Sequence, residues 1–268
     1  MSRKVDRRLR HYLNYSKRLF TKIIVFPWTF LPDCRLKNWG RRFLLRFQNS
    51  LPLEFALDKG DIGVQVGTPW PRTLKRLRAA VGIHGKIVII EAEPSNFDRL
   101  LTACRTEGFD NVYILNYAAW CDDQNGVLSV SPSFHGDHKV AVDGVLIDND
   151  LRPENSSMTE IPCKFRRLDT VLSELNIGNI DYLSVTVNGA ELEVLKGASE
   201  TLKRSPEVRI FSKAHSLSEG NVPISQPIRL FLHKIGFKSM LTRGEPTSAN
   251  DVDWSWRDGD VYAWKSHK

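Results

Sequence analysis

Seven residues, Asp61-Ile62-Gly63-Val64-Gln65-Val66-Gly67, set a carboxylate ahead of two glycines in the spacing D-x-G-x-x-x-G. Gly63 and Gly67 permit a tight turn and a close approach of backbone to ligand. The spacing is not G-x-G-x-x-G, and the chain contains no G-K-[ST], so neither the dinucleotide fingerprint nor a P-loop is present. Asp61 is a poor neighbour for a pyrophosphate and suits a cationic ligand group. Glu91 follows Gly67 by 24 positions and closes the apolar run K-I-V-I-I-E. A carboxylate at the end of a buried strand can accept hydrogen bonds from both hydroxyls of a ribose. These residues together predict a nucleotide-like ligand at the carboxyl ends of parallel strands.

The elements that would position them read as alternating strands and helices, the pattern of βαβ units and a mostly parallel sheet. A first strand is expected within 53–57 or ending at Ile62. Helices are expected over 73–81, 95–104, 167–175, 191–203 and 227–235. Strands are expected over 86–91, 111–117, 182–187, 208–212, 237–241 and 261–265, with an edge strand over 126–130. Residues 131–160 are rich in Ser, Asp and Asn, include His135 and His138, and read as a loop or insertion over one face.

Charge divides the chain into an arm, 1–50, and a domain, 51–268. The arm holds 13 Lys/Arg against 2 Asp/Glu, and the rest holds 25 against 29, within a total of +7. The apolar run Ile23–Leu31 is interrupted by Pro27 and is shorter than the roughly 20 residues a bilayer span needs. Arg and Lys beside Phe26, Trp28 and Phe30 suit an anionic membrane surface. A helical extension packed on the domain is the other reading, and nucleic acid is disfavoured because no recognition fold accompanies the charge. Four cysteines, Cys34, Cys104, Cys121 and Cys163, form no C-x-x-C pair, which argues for a reducing, cytoplasmic setting and against a zinc site.

Four blocks in order resemble the FkbM-type family of S-adenosylmethionine-dependent methyltransferases. They are D-I-G-V-Q-V-G (61–67), E-A-E-P-S-N-F (91–97), R-L-D-T-V-L (167–172) and I-D-Y-L-S-V-T-V-N-G-A-E-L-E-V-L-K-G-A (180–198). They are similar to the family's D-x-G-A-x-x-G, E-P-D-P-x-N-F, T-L-D and I-D-x-L-K-I-D-V-E-G-A-E-x-x-V-L-x-G-A. The resemblance implies a Rossmann-like class I α/β fold, a mostly parallel seven-stranded sheet with helices on both faces. It implies S-adenosylmethionine as cofactor, with Asp61, Gly63, Val64, Gln65 and Gly67 around its methionine part and Glu91 on its ribose. Strand 113–117 and the Ala118-Ala119-Trp120 that follows would lie near adenine. Members commonly O-methylate sugars or other hydroxyl-bearing natural products, so the implied partner is a small-molecule, glycan or lipid-linked acceptor.

The chain departs from the family where acid would sit. Ser184, Thr186 and Asn188 replace Lys, Asp and Glu, and Phe211-Ser212-Lys213-Ala214-His215 keeps the His but not the preceding acid. Thr186 and Asn188 can only hydrogen-bond, and a hard-cation site is disfavoured without those carboxylates. His215 becomes the first candidate for general base, with a typical pKa near 6.5, and Glu191 the second. Two functions stay open: an O-methyltransferase, and a catalytically impaired relative that acts by binding cofactor or protein.

Overall fold

In the computed structural model, residues 57–68, 70–130, 139–142, 145–146, 159–214, 224–241 and 260–265 are described. The chain divides into two units, Met1–Ala56 and Leu57–Lys268. The basic arm, His135, His138 and His215 lie outside the described residues.

The elements begin with β1 Ile62–Val66, α1 Pro71–Val81, β2 Lys86–Ile90, α2 Pro94–Thr106, β3 Val112–Leu115 and β4 Ala118–Ala119. Then come β5 Gln124–Val130, β6 Lys139–Val142, β7 Val145–Leu146, β8 Thr159–Arg166 and α3 Leu168–Glu174. They end with β9 Tyr182–Val185, α4 Glu191–Gly197, α5 Ser199–Arg204, β10 Arg209–Ser212, α6 Ser225–Lys234, β11 Phe237–Leu241 and β12 Val261–Lys265.

Seven strands pair in the order β3-β2-β1-β9-β10-β12-β11. The first five run parallel, and β12 is antiparallel to both neighbours. Period-two alternation explains the layers. Ile87 and Ile89 of β2 pack with Leu74 and Val81 of α1 and Leu100 and Cys104 of α2. Val88 and Ile90 point the other way, into a larger core shared with Leu172 of α3, Leu195 of α4, Leu202 of α5 and Ile228 of α6. Helices therefore cover both faces, and the sheet is the mostly parallel, seven-stranded α/β sheet of the class I methyltransferases. Local signals set the boundaries: Pro71 opens α1, whose amide would have no helical partner, and Glu93 caps α2 by accepting from the amides of Ser95 and Asn96.

Four expectations are corrected. The strand expected to end at Ile62 begins there instead, and the alternative over 53–57 lies, but for its last residue, outside the described residues. The segment 61–67 is therefore not a turn: Ile62–Val66 is a strand, paired on both sides and inaccessible from Gly63 on. Residues 126–130 are not an edge strand, because β5 lies between β8 and β6 in a second sheet ordered β4-β8-β5-β6-β7. This sheet occupies part of the segment read as a loop. Its strand β8, T-E-I-P-C-K-F-R, hides behind polar alternation and Pro162, a residue tolerated there because β4 pairs only with Phe165 and Arg166.

The helix expected over 191–203 is two helices meeting at Ala198. A side chain at Gly197 would collide with the Trp120 carbonyl. Asp169 then supplies a fresh N-terminus for α5, accepting from the amides of Thr201 at 2.8 Å and Glu200 at 3.1 Å.

Candidate functional site

β1 is the strand from which the order departs in both directions, and the carboxyl ends beside such a switch form a crevice. The residues just past β1, β2 and β9 are Gly67, Glu91 and Thr186. Each continues its strand's ladder: the Gly67 amide donates to Ile90 O at 2.8 Å, Glu91 to Leu115 O at 3.0 Å and Thr186 to Val66 O at 2.9 Å.

Gly67 adopts φ +73°, and a Cβ there would stand 2.5 Å from the Thr186 carbonyl oxygen. Only glycine fits. Gln65, buried one residue inside β1, folds its side chain over this turn. Its Nε2 donates to Gly67 O at 2.8 Å and to Thr186 Oγ1 at 2.9 Å. The Thr186 hydroxyl in turn donates to Gly67 O. Gln65, Thr186 and Gly67 thus form a closed knot joining the ends of β1 and β9.

Glu91 is 6% exposed. Its carboxylate accepts from the Thr68 amide at 2.9 Å and the Glu93 amide at 3.1 Å, with the Asn96 side chain close by. Burial nevertheless outweighs those donors and pushes the Glu91 carboxyl above the ordinary range. A cleft opens beside it, walled by Tyr117, Ala118 and Leu128 on one side and Val187, Asn188 and Ala190 on the other. Such walls suit a flat heterocycle, and the strand-end carboxylate suits vicinal hydroxyls.

The structure brings together Gly67, Glu91, Ala118, Thr186 and Asn188 from the residues singled out in the sequence, with Gln65 beneath them. It does not bring Asp61 there. Asp61 precedes β1, at the opposite end of the strand and roughly 20 Å from Gly67 by strand rise. It is 1% exposed and ion-paired to Arg209 at 2.5 Å. Gly63 and Val64 are interior strand residues: a Cβ on Gly63 would lie 3.1 Å from Ile87 Cδ1, and Val64 is core. Glu191 is buried in the first turn of α4 and does not line the cleft. The D-x-G spacing meets the strand end four residues later, at Gln65-Val66-Gly67, with glutamine in the acid's place. Tyr117, at the end of the strand expected near the adenine, does line the cleft, whereas Thr68, Glu93 and Asn96 join it without having been singled out in the sequence; the Glu-Pro pair at 93–94, a helix-start signal, is the legible cue to them.

A larger concavity among Lys59, Arg78, Gly82 and His84 lies at the amino end of β1. There Lys59 Nζ donates to the Ala79 carbonyl at 2.6 Å, serving the end of α1. It is on the wrong edge of a parallel sheet for the chemistry above. Among the described residues no His, Cys, Asp and Glu cluster could hold a metal ion. Nor is any helix among them long and apolar enough to cross a membrane.

The parallel sheet with its antiparallel β12, and a strand-end glycine and glutamate over an open cleft, define a class I methyltransferase. The sequence profile described as the methyltransferase FkbM domain matches residues 61–239, and the chain belongs to that family. Its cofactor is S-adenosylmethionine. Solved structures are similar to it at low identity. A SAM-dependent methyltransferase from Aquifex aeolicus is 16% identical over 79% of this chain and 84% of its own, with a TM-score of 0.37. The O-methyltransferase TomG from Streptomyces achromogenes is 15% identical over 80% and 75%, with a TM-score of 0.42. An O-methyltransferase from Bacillus cereus is 13% identical over 99% and 93%, also with a TM-score of 0.42. No curated protein matches the chain.

Proposed function

We propose that S-adenosylmethionine lies in the cleft between Gly67 and Glu91, and that its methyl group passes to a hydroxyl of a glycan, glycolipid or secondary metabolite. One observation carries this reading: the Glu91 carboxylate, held by the Thr68 and Glu93 amides, lines a cleft one strand away from Gly67, whose positive-φ conformation leaves no room for a side chain. Glu91 takes the ribose hydroxyls, and Tyr117, Ala118 and Leu128 flank the adenine.

The sulfonium supplies an already activated methyl group, so the protein's work is to align acceptor and donor and to remove one proton. The acceptor oxygen gains the methyl, its proton goes to a base, and the thioether leaves neutral. His215 is the base in this reading. Calorimetric titration with S-adenosylhomocysteine tests the placement. Saturable binding that weakens at least about tenfold in Glu91→Ala is expected, since a charged hydrogen-bond pair is lost. Unchanged affinity in that variant, or no binding at millimolar ligand, overturns it.

A second reading is favoured by the Gln65–Thr186 knot and by Asn188, which place neutral groups where the family carries acids. In it the chain binds cofactor but turns over poorly and acts through contacts with other proteins. Transfer of labelled methyl to a panel of hydroxylated glycans and lipids separates the two. For the arm of residues 1–50 the proposal is contact with an anionic membrane surface, which brings a lipid-linked acceptor within reach. Salt-sensitive co-sedimentation with anionic vesicles is expected, and its absence removes the idea.

A further inference from the structure

Tyr117 walls the cleft beside Ala118, and two contacts hold it there. Its neighbour Asn116 donates from the side-chain amide to the carbonyls of Glu91 at 2.9 Å and Ala92 at 3.0 Å, which ties the link between β3 and β4 to the end of β2. The ring is met from the second sheet. Arg166, the last residue of β8, places its guanidinium carbon 5.3 Å from the centroid of the Tyr117 ring, a cation–π separation.

The guanidinium is itself fixed. β8 runs parallel to β4 with Arg166 beside Ala119, and the Trp120 amide donates to the Arg166 carbonyl at 2.9 Å. Arg166 Nη2 donates to Glu174 at 2.6 Å, and Nε donates to Asp123 at 3.2 Å. Asp123 is anchored in turn, accepting from the Arg167 amide and the Thr170 hydroxyl, both at 2.8 Å. Two carboxylates on a planar fork set the orientation of the cation as well as its position.

These ion pairs do little for stability. The side chains of Arg166, Asp123 and Glu174 are 22%, 41% and 56% exposed, and pairs so open to water contribute little. Asp123 keeps its bonds to Arg167 and Thr170 at the start of α3 whether or not Arg166 is there. We infer that Arg166 is a positioning residue for the cofactor: it holds the Tyr117 ring as a wall for the heterocycle, so that recognition of the base depends on a contact from the second sheet. This rests on the cofactor placement proposed above. A ring set in place before binding spares the ligand the cost of ordering it. Leu128 of β5 walls the same side, so the second sheet supports that side of the cleft twice.

Calorimetry on the full chain with S-adenosylhomocysteine tests it through a double-mutant cycle. Arg166→Met is expected to fold and to bind about fivefold more weakly, the scale of one cation–π contact. Tyr117→Phe keeps the ring and is expected to retain that fivefold effect of Arg166→Met. In Tyr117→Leu, which removes the ring, Arg166→Met is expected to change affinity by less than about twofold. A full fivefold loss in the Tyr117→Leu background means that Arg166 acts by another route and overturns the inference. Unchanged affinity in Arg166→Met alone overturns it too. In both cases the cofactor placement stands if Glu91→Ala still weakens binding. If S-adenosylhomocysteine does not bind the parent chain, both fail. Should Arg166→Met not fold, Arg166→Gln, which leaves a donor for Asp123, runs the same cycle with the same expected outcomes.

Discussion

The buried carboxylate of Asp61 lies 2.5 Å from Nη2 of Arg209 and ties the start of β1 to the start of β10 across β9. Arg209 also donates from Nε to the Asp181 carbonyl at 3.2 Å, and Asp181 accepts from the Ile62 amide at 2.9 Å. Three strands are thus locked in register at the edge of the sheet remote from the cleft. Asp61→Asn is expected to destabilise the fold by about 3 kcal/mol, because a buried guanidinium loses its counter-charge. Urea denaturation measures that loss. Affinity for S-adenosylhomocysteine is expected to stay within about twofold, since the pair sits some 20 Å from Gly67.

Glu91 makes stability and binding depend on pH in opposite directions. Its carboxyl is raised above 4.5 by burial, so the folded protein holds that proton more tightly than the unfolded chain. The stabilisation is full below the unfolded value and is lost as pH rises through the raised folded value. In the proposed placement ribose hydroxyls donate to the carboxylate, so ligand affinity is expected to grow over the same interval. Melting temperatures and titrations at stepped pH check both trends, and Glu91→Gln is expected to flatten them together.

Gly67→Ala tests the turn itself. The new side chain would be forced to φ +73° with its Cβ against the Thr186 carbonyl at 2.5 Å. A left-handed alanine alone costs about 1–2 kcal/mol, and the clash adds to it. Loss of about 2 kcal/mol or more is expected in chemical denaturation, with weaker ligand binding as β1 and β9 separate.

Asp169 is a structural acid within the R-L-D segment. Asp169→Ala removes two charge-assisted bonds at the amino end of α5, to the amides of Glu200 and Thr201. The scale for an N-terminal capping carboxylate is about 1–2 kcal/mol. That loss is expected in denaturation experiments, with no change in ligand affinity.

The fold was largely legible because its signals are local. K-I-V-I-I-E and Y-L-S-V-T-V read as buried strands from composition alone, and Leu74, Leu77 and Val81 repeat at helical spacing. Glu91 was legible for the same reason: the end of an unmistakable strand fixes where its side chain must be. The second sheet was not, since β8 alternates polar residues and carries a proline, and its membership depends on partners distant in sequence.

What the sequence by itself determined is the sheet, the family and the strand-end glutamate. Only the tertiary structure decided which D-x-G frame lies at the cleft. Asp61-x-Gly63 and Gln65-x-Gly67 share a spacing four residues apart, and composition cannot say which end of β1 faces the cleft. Pairing with β2 and β9 settles it by fixing the register of every side chain along the strand. Asp61 becomes an ion-pair partner inside the sheet edge, and Gln65 becomes the residue that closes the turn.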